Sequence, residues 1–214
     1  MSDFYDELKV GIDELQQIIM QNKTNKEIEI ELRIGQIQFD GFKSGMGNKT
    51  FYNKVKEILT ASNCWEKITE DTFTEWHQDG IRKTTVHNGK KIKPICIRKE
   101  KLQNINLKYN NAPYDIRISV AKEVAVSTKI TKNASTLIRN KNRCSYYYRD
   151  YRIDLTEIEQ ICNNVAENKY ELELEFLNLD SNVSDLYRAH SGFLLLRDVI
   201  NMCETLSNTH LEKA

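Results

Sequence analysis

The sequence predicts an α+β protein: a closed antiparallel β-barrel of about eight strands enclosing a polar tunnel. An N-terminal helix, a helix after the first strand and a C-terminal helix flank it. Three observations predict this. EIEIELRIG at 27–35 and YELELEF at 170–176 alternate acidic and apolar residues with a period of two, one near each end of the chain. Between residues 65 and 176, runs rich in β-branched and aromatic residues follow one another, separated by turn signals. Outside that stretch the apolar spacing turns helical.

The elements follow in order. In DFYDELKVGIDELQQIIM (3–20), Phe4, Leu8, Ile12, Leu15 and Ile19 lie near helical spacing, with acids in the first turn. GFKSGMGNKT (41–50) reads as a loop, and TFYNKVKEILTAS (50–62) returns to helix through Phe51, Val55, Ile58 and Leu59. Strands are expected at 65–69, 72–78, 81–87, 93–102, 115–126, 136–149, 151–155 and 169–177, with QDG, HNGK and YNNAPY as turns. SDLYRAHSGFLLLRDVINMCETL begins on Ser184, an expected N-cap, and carries an apolar helical face. With two prolines and no low-complexity tract there is no linker, so residues 1–214 are expected to form a single domain.

Composition narrows the function classes. The 31 basic and 31 acidic residues cancel, so no bulk field favours nucleic acid or membrane, and any electrostatic function must come from local segregation. No apolar run is long enough to cross a bilayer, and the first residues are too acidic for a secretory signal. Cys64, Cys96, Cys144, Cys162 and Cys203 form no CxxC pair and are expected to be buried free thiols. His77, His87, His190 and His210 are dispersed and HExxH is absent, which argues against a zinc enzyme.

On a strand, Glu29, Glu31 and Arg33 face one way and Ile28, Ile30, Leu32 and Ile34 the other; Glu171, Glu173 and Glu175 likewise oppose Leu172, Leu174 and Phe176. A sheet with one wet face explains either stretch alone. Two such rows ask for cations nearby, because stacked like charges repel. Candidates are Arg139, Lys141 and Arg143 of RNKNR, Arg82, and one of Arg98, Lys99 and Lys101; Arg117, Ser119 and Glu123 share one parity. Carboxylate oxygens suit Mg²⁺ or Mn²⁺, and arginine and lysine suit a phosphate chain. Together they point to phosphoryl transfer.

The ordered pieces EIELRIG, IRKEKL, YDIRISVAKE, RNKNRCSYYY, RIDLT and YELELEF run from Glu29 to Phe176. This pattern resembles the metal-dependent RNA 5′-triphosphatases of fungi, protists and large DNA viruses, within the triphosphate tunnel metalloenzymes. The resemblance implies that Glu29, Glu31 and Glu175 hold Mg²⁺ or Mn²⁺, and that Glu123 and Glu173 position and activate the attacking water. It implies that Lys141 and Arg143 bind the phosphates, with Arg82, Lys99 and Arg139 adding charge, while Arg33, Arg139, Asp154 and Glu171 brace the site by ion pairs. The implied reaction removes the γ-phosphate of 5′-triphosphate RNA in the first step of mRNA capping. Free NTPs are implied as further substrates, an RNA guanylyltransferase as a partner, and a nucleus or cytoplasmic viral factory as the place.

Two other readings remain open at this point. One is a tripolyphosphatase or NTPase of the same tunnel fold. The other is a non-catalytic single-stranded RNA-binding β-domain using Tyr146, Tyr147, Tyr148 and Tyr151 for stacking; it leaves the carboxylate rows unexplained. GFKSGMGNKT is not a phosphate-binding P-loop, since Asn48 stands where the last glycine belongs. CSYYYR (144–149) is one residue too short for a cysteine-phosphatase loop, and no KxDG nucleotidyl-transfer motif occurs.

Overall fold

The structure, a computed structural model, describes residues 2–87, 94–108, 113–127 and 136–211, with side chains over 9–201 of these. Most of the HNGK and YNNAPY turns, and the side chains of Phe4, Leu8, Cys203 and His210, lie outside the described residues. The chain runs α1 (Ser2–Asn22), β1 (Ile28–Gln38), β2 (Gly41–Ser44), α2 (Lys49–Ala61), β3 (Lys67–Gln78), β4 (Ile81–Val86), β5 (Ile95–Leu107), β6 (Asp115–Ala125), β7 (Leu137–Tyr148), β8 (Tyr151–Cys162), β9 (Val165–Phe176) and α3 (Asp185–Leu211).

Turn chemistry sets the hairpins. Asp79 (φ 50°) and Gly80 (φ 73°) join β3 to β4, and Asn163 (φ 50°) and Asn164 (φ 63°) join β8 to β9, both as two-residue loops with left-handed backbone that Asn, Asp and Gly tolerate. At the start of α2, the Asn48 Oδ1 accepts from the Phe51 backbone N–H at 2.8 Å, an N-cap.

Around the barrel the order is β1-β6-β5-β4-β3-β7-β8-β9, every neighbour antiparallel. Pairing of β9 with β1 closes it through Glu31↔Glu175, Leu32↔Leu174 and Arg33↔Glu173. The two acidic stretches, far apart in sequence, are therefore hydrogen-bonded neighbours. β2 lies outside the ring, paired to the end of β1.

The hydrophobic core sits outside the barrel wall, under the helices. Ile30, Leu32 and Ile34 of β1 and Leu174 of β9 are wholly buried there with Leu15 and Ile19 of α1 and Phe193 and Leu196 of α3. Glycine permits the closest approach: a side chain at Gly192 would meet the Phe176 ring at 2.6 Å, and one at Gly11 would meet Leu107 at 2.5 Å. Arg188, fully buried, donates from Nη1 to the Leu179 carbonyl (3.0 Å) and from Nη2 to the Leu177 carbonyl (2.6 Å), tying α3 to the chain leaving β9.

Four expectations are corrected. Gly41–Ser44 is a short strand rather than loop, because Gly35 lets β2 fold tightly over β1. The stretches 65–69 and 72–78 are one strand, β3; Asp71 faces the cavity on it, which masks the period. β8 continues past Leu155 to Cys162, with Thr156 and Ile158 buried. The four described thiols are free, but among them only Cys144 is buried: Cys96 is half-buried, and Cys64 and Cys162 are exposed. Among the described residues no helix is long and apolar enough to cross a membrane.

Candidate active site

The inward faces of the strands line a single cavity of about 670 Å³. Alternation dictates its composition: aliphatic residues go outward to the helices, so charged ones on the same strands must go inward. β1 supplies Glu29, Glu31 and Arg33; β4 Arg82; β5 Lys99; β6 Glu123; β7 Arg139, Lys141 and Arg143; β8 Asp154; and β9 Glu171, Glu173 and Glu175. Every residue to which the resemblance gave a role thus reaches one cavity. Lys99 lines it whereas Arg98 and Lys101 are exposed, which decides among those three. Of the β6 residues sharing a parity, Glu123 lines the cavity and Arg117 does not. Tyr146 and Tyr151 are buried, so neither offers a free stacking face.

The charges interlock. Lys99 Nζ contacts Glu29 closely and lies 3.6 Å from Glu31 and 3.5 Å from Glu123, which Arg82 also meets at 3.1 Å. Arg33 joins Glu31 (2.6 Å) to Glu173 (3.0 Å). Arg143 meets Asp154 at 2.9 Å and Glu173 at 3.7 Å, and Asp154 also accepts from the Ser145 hydroxyl at 2.6 Å. Arg139 is bound to Glu171 at 2.6 Å.

Two residues that sequence reasoning passed over prove central. Glu75 of β3, only 4% exposed, accepts Lys141 at 2.9 Å and lies 3.3 Å from His77 Nε2 and 3.8 Å from Arg82. Arg152 of β8 bridges Asp154 (3.0 Å) and Glu175. Arg152 and Asp154 share a parity in RIDLT, a signal already present in the sequence; Glu75 was obscured by the polar start of β3.

Nine carboxylates face seven lysines and arginines across the cavity, an excess of two negative charges. The excess falls on two groups. Burial, reinforced by Glu173, pushes Glu31 up to about 7 against the pull of Arg33 and Lys99. Burial likewise lifts Glu175 to about 7 despite Arg152, with Glu29, Asp154 and Glu31 adding repulsion. Glu173 goes the other way: burial opposes ionisation, but Arg33, Arg143, Lys141 and Lys99 together hold it down to about 2. Against the same opposition from burial, the hydrogen bond from His77, then Lys141 and Arg82, hold Glu75 well below the usual carboxylate range. Burial pulls Lys141 down to about 8; Glu75 resists, and Arg139 and Arg143 add to the fall.

The donor set at the β1–β9 seam fits a hard divalent cation. Glu29, Glu31 and Glu175 present carboxylate oxygens, the hard donors such a cation takes, and burial suppresses ionisation at Glu31 and Glu175. Among the described residues no three such side chains are drawn together into a finished cage: Lys99 is turned onto Glu29 and Arg152 onto Glu175.

Residues 55–189 match the family model described as mRNA capping enzyme, beta chain. The chain belongs to this family. The mRNA-capping enzyme subunit beta of Schizosaccharomyces pombe is 30% identical over 121 residues, covering 54% of this chain and 38% of the relative. That of Candida albicans is 23% identical over 204 residues, covering 73% of this chain and 38% of the relative. This chain therefore spans less than two fifths of the beta-subunit relatives it matches. Among solved structures, the S. pombe Pct1 RNA triphosphatase superposes with a TM-score of 0.72 at 20% identity, over 91% of this chain and 92% of that one. The mimivirus capping enzyme triphosphatase does so with a TM-score of 0.60 at 16% identity, over 88% and 96%. These likenesses show a shared fold, and the barrel expected from the alternating strands is that fold.

Proposed function

We propose that this chain is an RNA 5′-triphosphatase acting in mRNA capping: water attacks the γ-phosphorus of 5′-triphosphate RNA, the bond to the β–γ bridging oxygen breaks, and phosphate and a 5′-diphosphate end result. The observation that carries the reading is the enclosed cavity in which the carboxylate seam of β1 and β9 faces cations from β4, β5 and β7. Family membership supports it.

Glu29, Glu31 and Glu175 would hold Mg²⁺ or Mn²⁺, which when bound neutralises phosphoryl oxygens and the excess acid of the seam. Lys141 and Arg143, with Arg82 and Lys99, take the oxygens of the triphosphate and stabilise charge on the β-phosphate as it leaves. Arg139 is held by Glu171 beside them. Glu173, kept ionised by four cations, is a weak base but a strong acceptor; it orients the attacking water with Glu123, and the water proton stays with the oxygen until late and leaves on the phosphate product, as a loose transition state allows. Arg33, Asp154 and Arg152 brace Glu31, Glu173, Arg143 and Glu175, so the geometry is set before substrate arrives.

The relatives are named as subunits of capping enzymes, which supports an RNA guanylyltransferase as partner and a site of action inside the cell, where nascent transcripts acquire their ends. The test is phosphate release from 5′-triphosphate RNA, GTP and tripolyphosphate, each with EDTA, Mg²⁺ and Mn²⁺. Mg²⁺-dependent release from RNA is expected. Release from tripolyphosphate alone would make the chain a tripolyphosphatase, and RNA binding without turnover would end the enzymatic reading.

A further inference from the structure

The tunnel leads somewhere at the end where β1 finishes and β9 begins. Glu171 lines both the main cavity and a second one of about 580 Å³, seated at the rim between β2, residues 45–48 and the β8–β9 hairpin. The Arg139–Glu171 ion pair (2.6 Å) forms the sill between the two. Phe42, Lys43, Asn48, Lys169 and Tyr170 are among the residues lining the second cavity.

Within the tunnel the charges are paired at both ends. Toward the far end, where β1 starts and β9 finishes, Lys99 meets Glu29 and Glu123, Arg82 meets Glu123, and Arg152 meets Glu175. Toward the rim, Arg33 is held by Glu173 and Arg139 by Glu171. Cations without an acid partner beyond the tunnel therefore set the side from which a polyanion is drawn.

A second observation comes from the register. Arg117 of β6 stands directly opposite Arg33 of β1, a cross-strand pairing of like charges that repels. Arg33 is neutralised by Glu31 and Glu173. Arg117, among the described residues, has no carboxylate partner: its Nε donates to Asn106 Oδ1 at 2.8 Å, and its guanidinium lies over the Phe42 ring, 4.4 Å from the centroid. Phe42 in turn lines the second cavity, next to the exposed Lys43, which also has no carboxylate partner among the described residues. Lys169 is paired to Glu167 at 3.2 Å. Arg117 itself lines neither cavity but reaches the second through Phe42, and although Glu167 and Glu171 also line that cavity they are paired to Lys169 and Arg139, which leaves Arg117 and Lys43 as cations beside the Phe42 ring with no carboxylate of their own.

We infer that this rim cavity seats the RNA strand that follows the triphosphate, with Arg117 and Lys43 taking the phosphodiesters of the first linkages and Phe42 flanking them. Phosphodiesters supply the spaced single negative charges that two separated cations match, and a single strand can turn over the Arg139–Glu171 sill. The inference rests on the RNA triphosphatase reading above. It makes the tunnel the reader of the triphosphate and the rim the reader of the polymer.

The experiment compares wild type, Lys43→Glu and Arg117→Ala on a short 5′-triphosphate RNA and on tripolyphosphate, with Mn²⁺ and salt varied. Each variant is expected to raise KM for the RNA about tenfold with kcat kept, and to reduce the salt slope by about 0.7 for each lost phosphate contact. Tripolyphosphate turnover should stay within about twofold, since it never leaves the tunnel. Lys43 is on the surface, so Lys43→Glu keeps the fold even if Arg117→Ala does not. RNA turnover unchanged in Lys43→Glu, or RNA and tripolyphosphate turnover falling together, would overturn the rim site while leaving the triphosphatase reading intact. Wild type cleaving tripolyphosphate but not RNA would overturn that reading itself, and the rim site with it.

Discussion

The β1–β9–β8 wall and the β4–β5 wall line the same tunnel but are built differently. β8 and β9 pair along their whole lengths, from Tyr151↔Phe176 to Cys162↔Val165, and the backs of β1 and β9 are sealed under α1 and α3. Among the described residues β4 and β5 pair from Ile81↔Arg98 to Thr84↔Ile95, and Ile95 and Leu102 of β5 stand about half exposed, at 52% and 53%. The backed wall carries the carboxylates whose ionisation is most strongly suppressed; the unbacked wall carries Arg82 and Lys99. Costly like-charge crowding is thus placed where most apolar burial stands behind it, and cations, which need only reach an anion, where the wall is thin.

The largest effect expected from breaking this contrast is at the seam. Glu31→Gln or Glu175→Gln should lower turnover by roughly 10³-fold or more, as loss of a group stabilising transferred charge does. The same change should stabilise the metal-free protein. A carboxyl whose folded pKa is raised from 4.5 to about 7 binds more protons folded than unfolded, so its contribution to stability is greatest below pH 4.5 and is lost as pH rises to 7. Removing that charge at pH 7.5 should raise Tm by an amount worth up to about 3 kcal/mol. A drop in Tm with full activity would remove the seam from the site.

On the thin wall the effect should be smaller. Arg82→Ala and Lys99→Ala are each expected to lower kcat/KM by about 10²-fold, with the metal requirement unchanged. Equal losses on both walls would erase the contrast.

Lys141 gives a gentler, pH-dependent signature. Because its pKa is pulled to about 8, kcat/KM should fall about tenfold per unit above pH 8 as the ammonium is lost. Lys141→Arg should move that fall out of range, since guanidinium keeps its charge. An alkaline limb that survives the substitution would assign it to another group.

Smallest in activity is a packing comparison. Gly192→Val drives a side chain into the Phe176 ring and should cost about 1–3 kcal/mol in denaturant melts. Leu102→Ala on the exposed face of β5 should cost less than about 0.5 kcal/mol.

The barrel was legible because alternation is a local signal: Ile30, Leu32 and Ile34 against Glu29, Glu31 and Arg33 state which face is wet before any neighbour is known. Adjacency was not legible. Nothing local says that Glu31 pairs with Glu175, since closure depends on the register of every intervening strand. Glu75 was hidden for a related reason: KITEDTFTEWHQ places polar residues on both faces, and only pairing with β4 and β7 shows which of them point inward. Among Arg98, Lys99 and Lys101 the choice turned on strand phase, which three nearby cations could not fix.

The central claim is that the seam acids hold a divalent cation for γ-phosphate removal. It is tested most directly by single-turnover phosphate release from 5′-triphosphate RNA as Mn²⁺ is titrated into wild type and Glu31→Gln. The account requires saturable, Mn²⁺-dependent release by wild type and release slower by roughly 10³-fold or more from a folded Glu31→Gln at every Mn²⁺ concentration. Equal release by both proteins, or undiminished wild-type release in EDTA, would contradict it.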